Sequence, residues 1–211
     1  MPQRGLLVSI DGPGGVGKTT VTAHLASRLA AHGLTVHATV EPSDGPIGKL
    51  ARALVDAADG ADGYELACLY TADRYQHLRA EIRPRVAAGQ VVVCDRYIAS
   101  GLVVQRLDGI GLPYLAAINQ HADRPDLAVI LTAEPTVITE RVARRGAHNR
   151  YQVGPGAAAT ELAYYAEAAA HLHARGVRLL QIDTTDTPAE QIADTLADTI
   201  EAATGAQGVA A

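Results

Sequence analysis

Eight consecutive residues constrain this chain more than anything else in it. Gly12-Pro13-Gly14-Gly15-Val16-Gly17-Lys18-Thr19 fits the spacing G-x-x-x-x-G-K-[ST]. Its context supports the match. The apolar run Leu6–Ile10 precedes it and predicts a strand buried on both faces. Thr20–Ala31 follows, with Val21, Leu25 and Leu29 at helical spacing, and ends before Gly33. Glycines let backbone N–H groups turn inward around a phosphate. The helix N-terminus adds its positive end. Lys18 supplies a point charge to the β- and γ-phosphates, and Thr19 a hydroxyl to Mg²⁺. A phosphate-binding loop of this kind sits between a strand and a helix of a parallel sheet.

The remaining pattern agrees with that sheet. Thr35–Val40, Val91–Cys94, Leu127–Leu131 and Arg178–Ile182 read as strands, with Val91–Cys94 as the central one. Gly48–Ala58, Tyr64–Ala88, Leu112–His121, Thr136–Arg145, Ala157–Ala174 and Pro188–Ala203 read as helices. Pro84 should kink or break the second of these. Strand–helix alternation predicts an α/β fold: a five-stranded parallel sheet with helices on both faces. The 211 residues make one domain, with a polar Gly/Pro-containing lid at 145–156 and a frayed tail at 204–211.

Composition narrows the function classes. The net charge is -5, which argues against a dedicated nucleic-acid binder. The first apolar stretch is too short for a signal segment or a membrane span. Cys68 and Cys94 have no metal-like spacing and make no disulfide framework. A cytoplasmic protein without a membrane or nucleic-acid partner is expected. There is no phenylalanine or tryptophan, so eight tyrosines are the only aromatics. The cations are sixteen arginines and two lysines, Lys18 and Lys49. His171 and His173 are two apart on a helix and face different sides, so they make a poor metal pair.

Four further segments carry chemistry. Glu41-Pro42-Ser43-Asp44-Gly45-Pro46-Ile47-Gly48 follows the second strand, with Arg52 beyond it. Leu69-Tyr70-Thr71-Ala72-Asp73-Arg74 heads the long helix. Asp95-Arg96-Tyr97-Ile98-Ala99-Ser100 follows the third strand, then Val104-Gln105. The polar loop region holds Arg141, Arg144, Arg145 and Arg150. With the phosphate loop, these segments make the chain resemble the thymidylate kinase family of nucleoside monophosphate kinases. The resemblance runs from the first strand to the last helix.

That resemblance implies ATP- and Mg²⁺-dependent transfer to a pyrimidine nucleoside monophosphate, dTMP to dTDP in the first instance, by a homodimer. It implies that Gly12 through Thr20 and Arg141 bind ATP, and that Thr19 and Asp95 hold the metal. Lys18, Asp95, Arg96, Arg145 and Arg150 would be catalytic, the last two as lid arginines that spread the charge of the transferring group. Arg52 and Arg96 would clamp the acceptor phosphate, where a planar guanidinium suits better than lysine. Tyr70 would stack on the base, Arg74 would donate to a base carbonyl, and Gln105 would contact the base or close the pocket. Glu41 would hold the acceptor side, and Ser100 and Val104 would complete it. Asp183-Thr184-Thr185-Asp186 would border adenine.

The chain departs from the family pattern around the sugar. An acid common inside the phosphate loop is here Gly14. An aromatic common before the glutamine is here Val104, which leaves room for a 2′-substituent. Asp44 is placed to replace the missing acid in part. Three other readings therefore stay open: a kinase for a modified or ribo-pyrimidine nucleotide, a deoxynucleoside kinase with Glu41 as general base, and a non-catalytic nucleotide switch.

Overall fold

The computed structural model describes residues 4–55, 57, 60–146, 151, 154 and 156–209, the last five of these as backbone. Five strands form one parallel sheet: β1 (Leu7–Asp11), β2 (Val36–Val40), β3 (Val91–Asp95), β4 (Leu127–Thr132) and β5 (Leu179–Asp183). Their order is β2-β3-β1-β4-β5. The central strand is thus β1, not the more apolar β3. Both are wholly buried, so apolar content alone could not rank them. The chain order reverses at β1, between β3 and β4. Open parallel sheets place ligands at such a point, beyond the carboxyl ends of the strands.

Strand alternation sends the two faces into two cores. Leu7, Val92, Cys94, Ala128 and Ile130 face one layer, with Tyr97, Leu102, Leu115, Tyr165 and Leu172. Val8, Ile10, Val93, Val129 and Leu131 face the other, where α1 (Lys18–Ala31) contributes Val21, Leu25 and Leu29. The last helix, α9 (Ala189–Val209), adds Ile192, Leu196 and Ile200 to that layer. Its backbone is helical to Val209, past the Ala203 end expected from sequence. With no phenylalanine available, the largest fully buried rings are Tyr97 and Tyr165. A buried phenol needs a partner. The Tyr97 hydroxyl donates to Asp123 O at 2.8 Å, and the Tyr165 hydroxyl lies 2.9 Å from Ser100 Oγ.

The elements between strands follow the sequence with local corrections. After α2 (Pro46–Val55), α3 (Gly63–His77) opens on a capping box made by Asp62 and Glu65. The predicted helix over 64–88 is not one regular α-helix. A π-turn at Leu78–Ile82 separates α3 from α4 (Arg83–Ala87). Pro84 sits just beyond it and has no N–H to donate, while Arg83 N–H reaches back to Leu78 O. A short α5 (Ile98–Gly101) and a 3₁₀ turn (Val104–Asp108) then precede α6 (Leu112–Ile118). α6 stops three residues before the predicted end at His121. Two long helices follow, α7 (Pro135–Arg145) and α8 (Ala157–Ala174). Among the described residues no helix is long and apolar enough to cross a membrane.

Candidate active site

The ends of β1, β2 and β3 bring three loops together. Gly12–Gly17 follows β1, Glu41-Pro42 follows β2 through a cis peptide bond, and Asp95-Arg96 follows β3. A cleft at this end is lined by Gly14, Gly15, Gly17, Lys18, Thr19, Thr20, Asp95 and Arg96. Arg52, Tyr70 and Arg145 reach the same cleft from α2, α3 and the end of α7.

The phosphate loop has the geometry its sequence demands. Gly12, Gly15 and Gly17 all have positive φ. At Gly12 a Cβ would lie 2.3 Å from Leu131 O, so the loop passes too close to β4 for any side chain. Lys18 folds back onto the loop, and its Nζ donates to Gly12 O at 2.8 Å and Pro13 O at 2.7 Å. Burial, and then the nearby Arg96 charge, lower its pKa to about 7 against the partial support of Asp95, Glu161 and Asp11.

Thr19 Oγ1 donates to Asp95 Oδ2 at 2.7 Å. Asp95 Oδ1 is buried without a hydrogen-bond partner. A hydroxyl and a carboxylate side by side, with a spare buried oxygen, fit a hard cation that takes oxygen ligands. Among the described residues, Arg96 is the one non-glycine residue with positive φ, 69°. Its N–H still pairs with Ile10 O at 2.9 Å, so the strand ladder ends normally while the side chain turns aside. Such a conformation costs on the order of 1–3 kcal/mol and persists where the surroundings demand it. Burial alone would weaken the charge on Arg96, but Tyr165, Glu161, Asp95 and Asp11 outweigh it and raise its pKa.

Arg96 also walls a second cavity. This one is lined by Glu41, Tyr70, Asp73, Arg74, Arg96, Ser100, Val104, Gln105, Tyr151 and Glu161, among others. Its empty space is about 630 Å³ when the solvent at its mouth is counted. The two cavities share Glu41, Pro42, Tyr70 and Arg96. Gln105 is almost fully buried and its Nε2 has no partner, so it offers a free donor at this cavity.

Several residues are more engaged than the sequence suggests. Arg74 is 3% exposed. Its Nε donates to Glu41 Oε2 at 2.8 Å, one terminal nitrogen to Tyr97 O at 3.0 Å and the other to Asn119 Oδ1. Glu41 Oε1 lies 3.2 Å from His77 Nδ1, so both its oxygens are occupied. Ser100 lines the cavity, but its hydroxyl donates to Asp11 Oδ1 at 2.7 Å. Arg52 donates to Pro42 O and pairs with Asp44 at 2.8 Å. Asp44 itself is 89% exposed and lies outside the cavity, so it is not a substitute for a phosphate-loop acid.

Arg141 organises the 183–186 loop. Its guanidinium donates to Thr184 Oγ1 at 3.1 Å, Thr184 O at 2.8 Å and Thr185 O at 3.2 Å. Thr184 Oγ1 in turn donates to Val16 O at 3.0 Å, which ties the 183–186 loop to the phosphate loop. Of the two lid arginines, Arg145 reaches the cleft and Arg150 lies outside the described residues.

Two residues escaped the sequence reading. Tyr151 is 9% exposed and shares an apolar cluster with Tyr70, Val104 and Leu107. Its hydroxyl donates to Asp108 Oδ2 at 2.6 Å. The space expected beside Val104 is therefore filled by this ring from the lid. Glu161, on α8, accepts from Gly14 N–H at 3.2 Å. Neither belongs to a recognisable motif. A tyrosine in a polar loop and a glutamate in an alanine-rich helix carry no local signal of a site.

Comparison with known proteins places these features. The thymidylate kinase family model matches residues 10–188. A probable thymidylate kinase of Pyrobaculum aerophilum is 37% identical over 145 residues, covering 69% of this chain and 73% of that protein. The thymidylate kinase of Deinococcus radiodurans is 38% identical over 154 residues, covering 71% and 75%. Among solved structures, the thymidylate kinase of Candida albicans superposes with a TM-score of 0.78. That match covers 97% of this chain and 94% of the other at 20% identity, a likeness of fold.

Proposed function

This chain belongs to the thymidylate kinase family, and on that premise we propose that it transfers the γ-phosphoryl group of ATP to dTMP, giving ADP and dTDP. The observation that carries the reading is Arg96, which lines both the phosphate-loop cleft and the second cavity. A transfer between two bound phosphates needs a cation facing both.

The Gly12–Thr20 segment cradles the β- and γ-phosphates, and Lys18 leaves its own loop carbonyls to meet them. Thr19 and Asp95 would hold Mg²⁺, which supplies charge neutralisation on the donor phosphates. In the cavity, Tyr70 stacks on the pyrimidine, and Gln105 Nε2 donates to a base carbonyl. Arg96 and Arg52 bind the acceptor phosphate. An oxygen of that phosphate attacks Pγ in line while the Pγ–O bond to ADP breaks. Arg145, and Arg150 with it, spread the charge of the transferring group.

No general base is required, because a phosphate monoester is largely ionised at pH 7. This bears on the deoxynucleoside kinase alternative, where Glu41 would remove a hydroxyl proton. Glu41 has one oxygen on Arg74 and the other beside His77, so it is a structural anchor rather than a base. Tyr151 beside Val104 likewise favours a 2′-deoxy sugar over a ribose. We also propose a homodimer working in the cytoplasm, testable by sedimentation velocity and cell fractionation.

Acceptor-dependent ADP release tests the reading. dTMP should support turnover well above UMP, CMP and thymidine. Equal rates with UMP or CMP would remove dTMP as the substrate, and thymidine turnover without dTMP turnover would restore the nucleoside kinase.

A further inference from the structure

Glu161 is a carboxylate where phosphates are expected. It is 6% exposed, lines the acceptor cavity and accepts from Gly14 N–H. Its negative charge is felt by both Lys18 and Arg96. A buried acid beside phosphate-binding groups works against a phosphate and is costly to keep dry. Its partner must therefore be a part of the acceptor that donates.

The layout of the cavity says which part. The base end is set by Tyr70 and Gln105, and the phosphate end by Arg96. Glu161 stands against the phosphate loop, on the side of the cavity near Arg96 rather than at the base end. The sugar joins base and phosphate and must pass this position. An ionised carboxylate only accepts hydrogen bonds. In a 2′-deoxynucleoside 5′-monophosphate the sugar has one donor, the 3′-hydroxyl. Gly14 projects no side chain between them.

We infer that Glu161 is a specificity residue that accepts a hydrogen bond from the 3′-hydroxyl of the acceptor sugar. The inference rests on the acceptor reading proposed above. It places the sugar-reading acid on α8, after the lid, rather than on the phosphate loop.

The test pairs one variant with one altered acceptor. Wild-type enzyme is assayed with dTMP and with its 3′-deoxy analogue, and Glu161→Gln with both. A charge-assisted hydrogen bond predicts that wild type prefers dTMP by about tenfold in kcat/KM, chiefly through KM. Glu161→Gln should lose about tenfold on dTMP and less than about twofold on the analogue, with KM for ATP unchanged. The amide oxygen of the glutamine still accepts from Gly14 N–H, so a purely structural clasp would survive. Equal losses on both acceptors would overturn the inference alone. So would equal wild-type kcat/KM for the two acceptors, a comparison that needs no folded variant. A wild type inactive on dTMP would overturn the acceptor reading, and the inference with it.

Discussion

Thr19 Oγ1 donates to Asp95 Oδ2 across 2.7 Å, joining the first residue after the phosphate-loop lysine to the end of β3. On the proposed reading, the bond fixes the spacing of the two oxygens that would hold Mg²⁺. Asp95→Asn keeps the size of the side chain but halves its capacity as a ligand. We expect kcat to fall at least about 100-fold, with the requirement for Mg²⁺ shifted to higher concentration. Unfolding in denaturant should be little changed, because the amide oxygen still accepts from Thr19 Oγ1 and the group lost is a buried charge rather than a hydrogen bond. A wild-type kcat in Asp95→Asn would take Asp95 out of the metal site.

Lys18 links nucleotide binding to protons. Its pKa in the free protein is lowered to about 7, first by burial and then by Arg96. Bound phosphates restore a counter-charge and raise it again. Above pH 7 the free protein carries a largely neutral amine, so binding takes up a proton and weakens as pH rises. Below pH 7 the amine is already charged and no uptake is due. Calorimetry of ATP binding in buffers of different ionisation enthalpy should give an uptake of about one proton at pH 8.5, and little at pH 6. Lys18→Met should abolish the difference.

Arg74 divides two roles that the sequence could not separate. Its guanidinium binds Glu41, Tyr97 O and Asn119. Arg74→Met leaves the Glu41 carboxylate buried without its cation, which costs about 3–5 kcal/mol. Denaturant unfolding should register that loss. If stability held and only dTMP affinity fell, Arg74 would instead serve the base.

Tyr151 occupies the space that Val104 leaves. Tyr151→Ala should lower the ratio of kcat/KM for dTMP over its ribose counterpart by about tenfold, as a cavity opens beside the sugar. Rates with dTMP should fall less than that ratio. An unchanged ratio would show that this ring does not face the 2′ position.

The sequence made the sheet and the phosphate loop legible because both rest on local pattern. Leu6–Ile10 and Gly12–Thr19 need only neighbours in the chain to be read. Ala157–Ala174 was predicted to the residue, since alanine propensity sets helix α8 from end to end. The strand order was not legible: β1 and β3 are equally buried, and only pairing across the sheet decides which is central. In the site, Arg96 and Gln105 are legible through the resemblance of the Asp95–Gln105 segment to the family pattern. The commitments of Arg74 do not, because Glu41 is 33 residues away and Asn119 is 45. Glu161 reaches Gly14 across 147 residues, and no motif carries a contact over that span. Residues that chemistry requires were readable, whereas those that geometry recruits were not.

The central claim is that one phosphoryl group passes directly from ATP to the phosphate of dTMP. ATP labelled with ¹⁸O in its γ-phosphate, incubated with the enzyme, Mg²⁺ and dTMP, follows that group by ³¹P NMR. The account predicts the label in the β-phosphate of dTDP, with formation abolished in Lys18→Ala and Arg96→Ala. Label appearing only in inorganic phosphate, or at the same rate without dTMP, would contradict it.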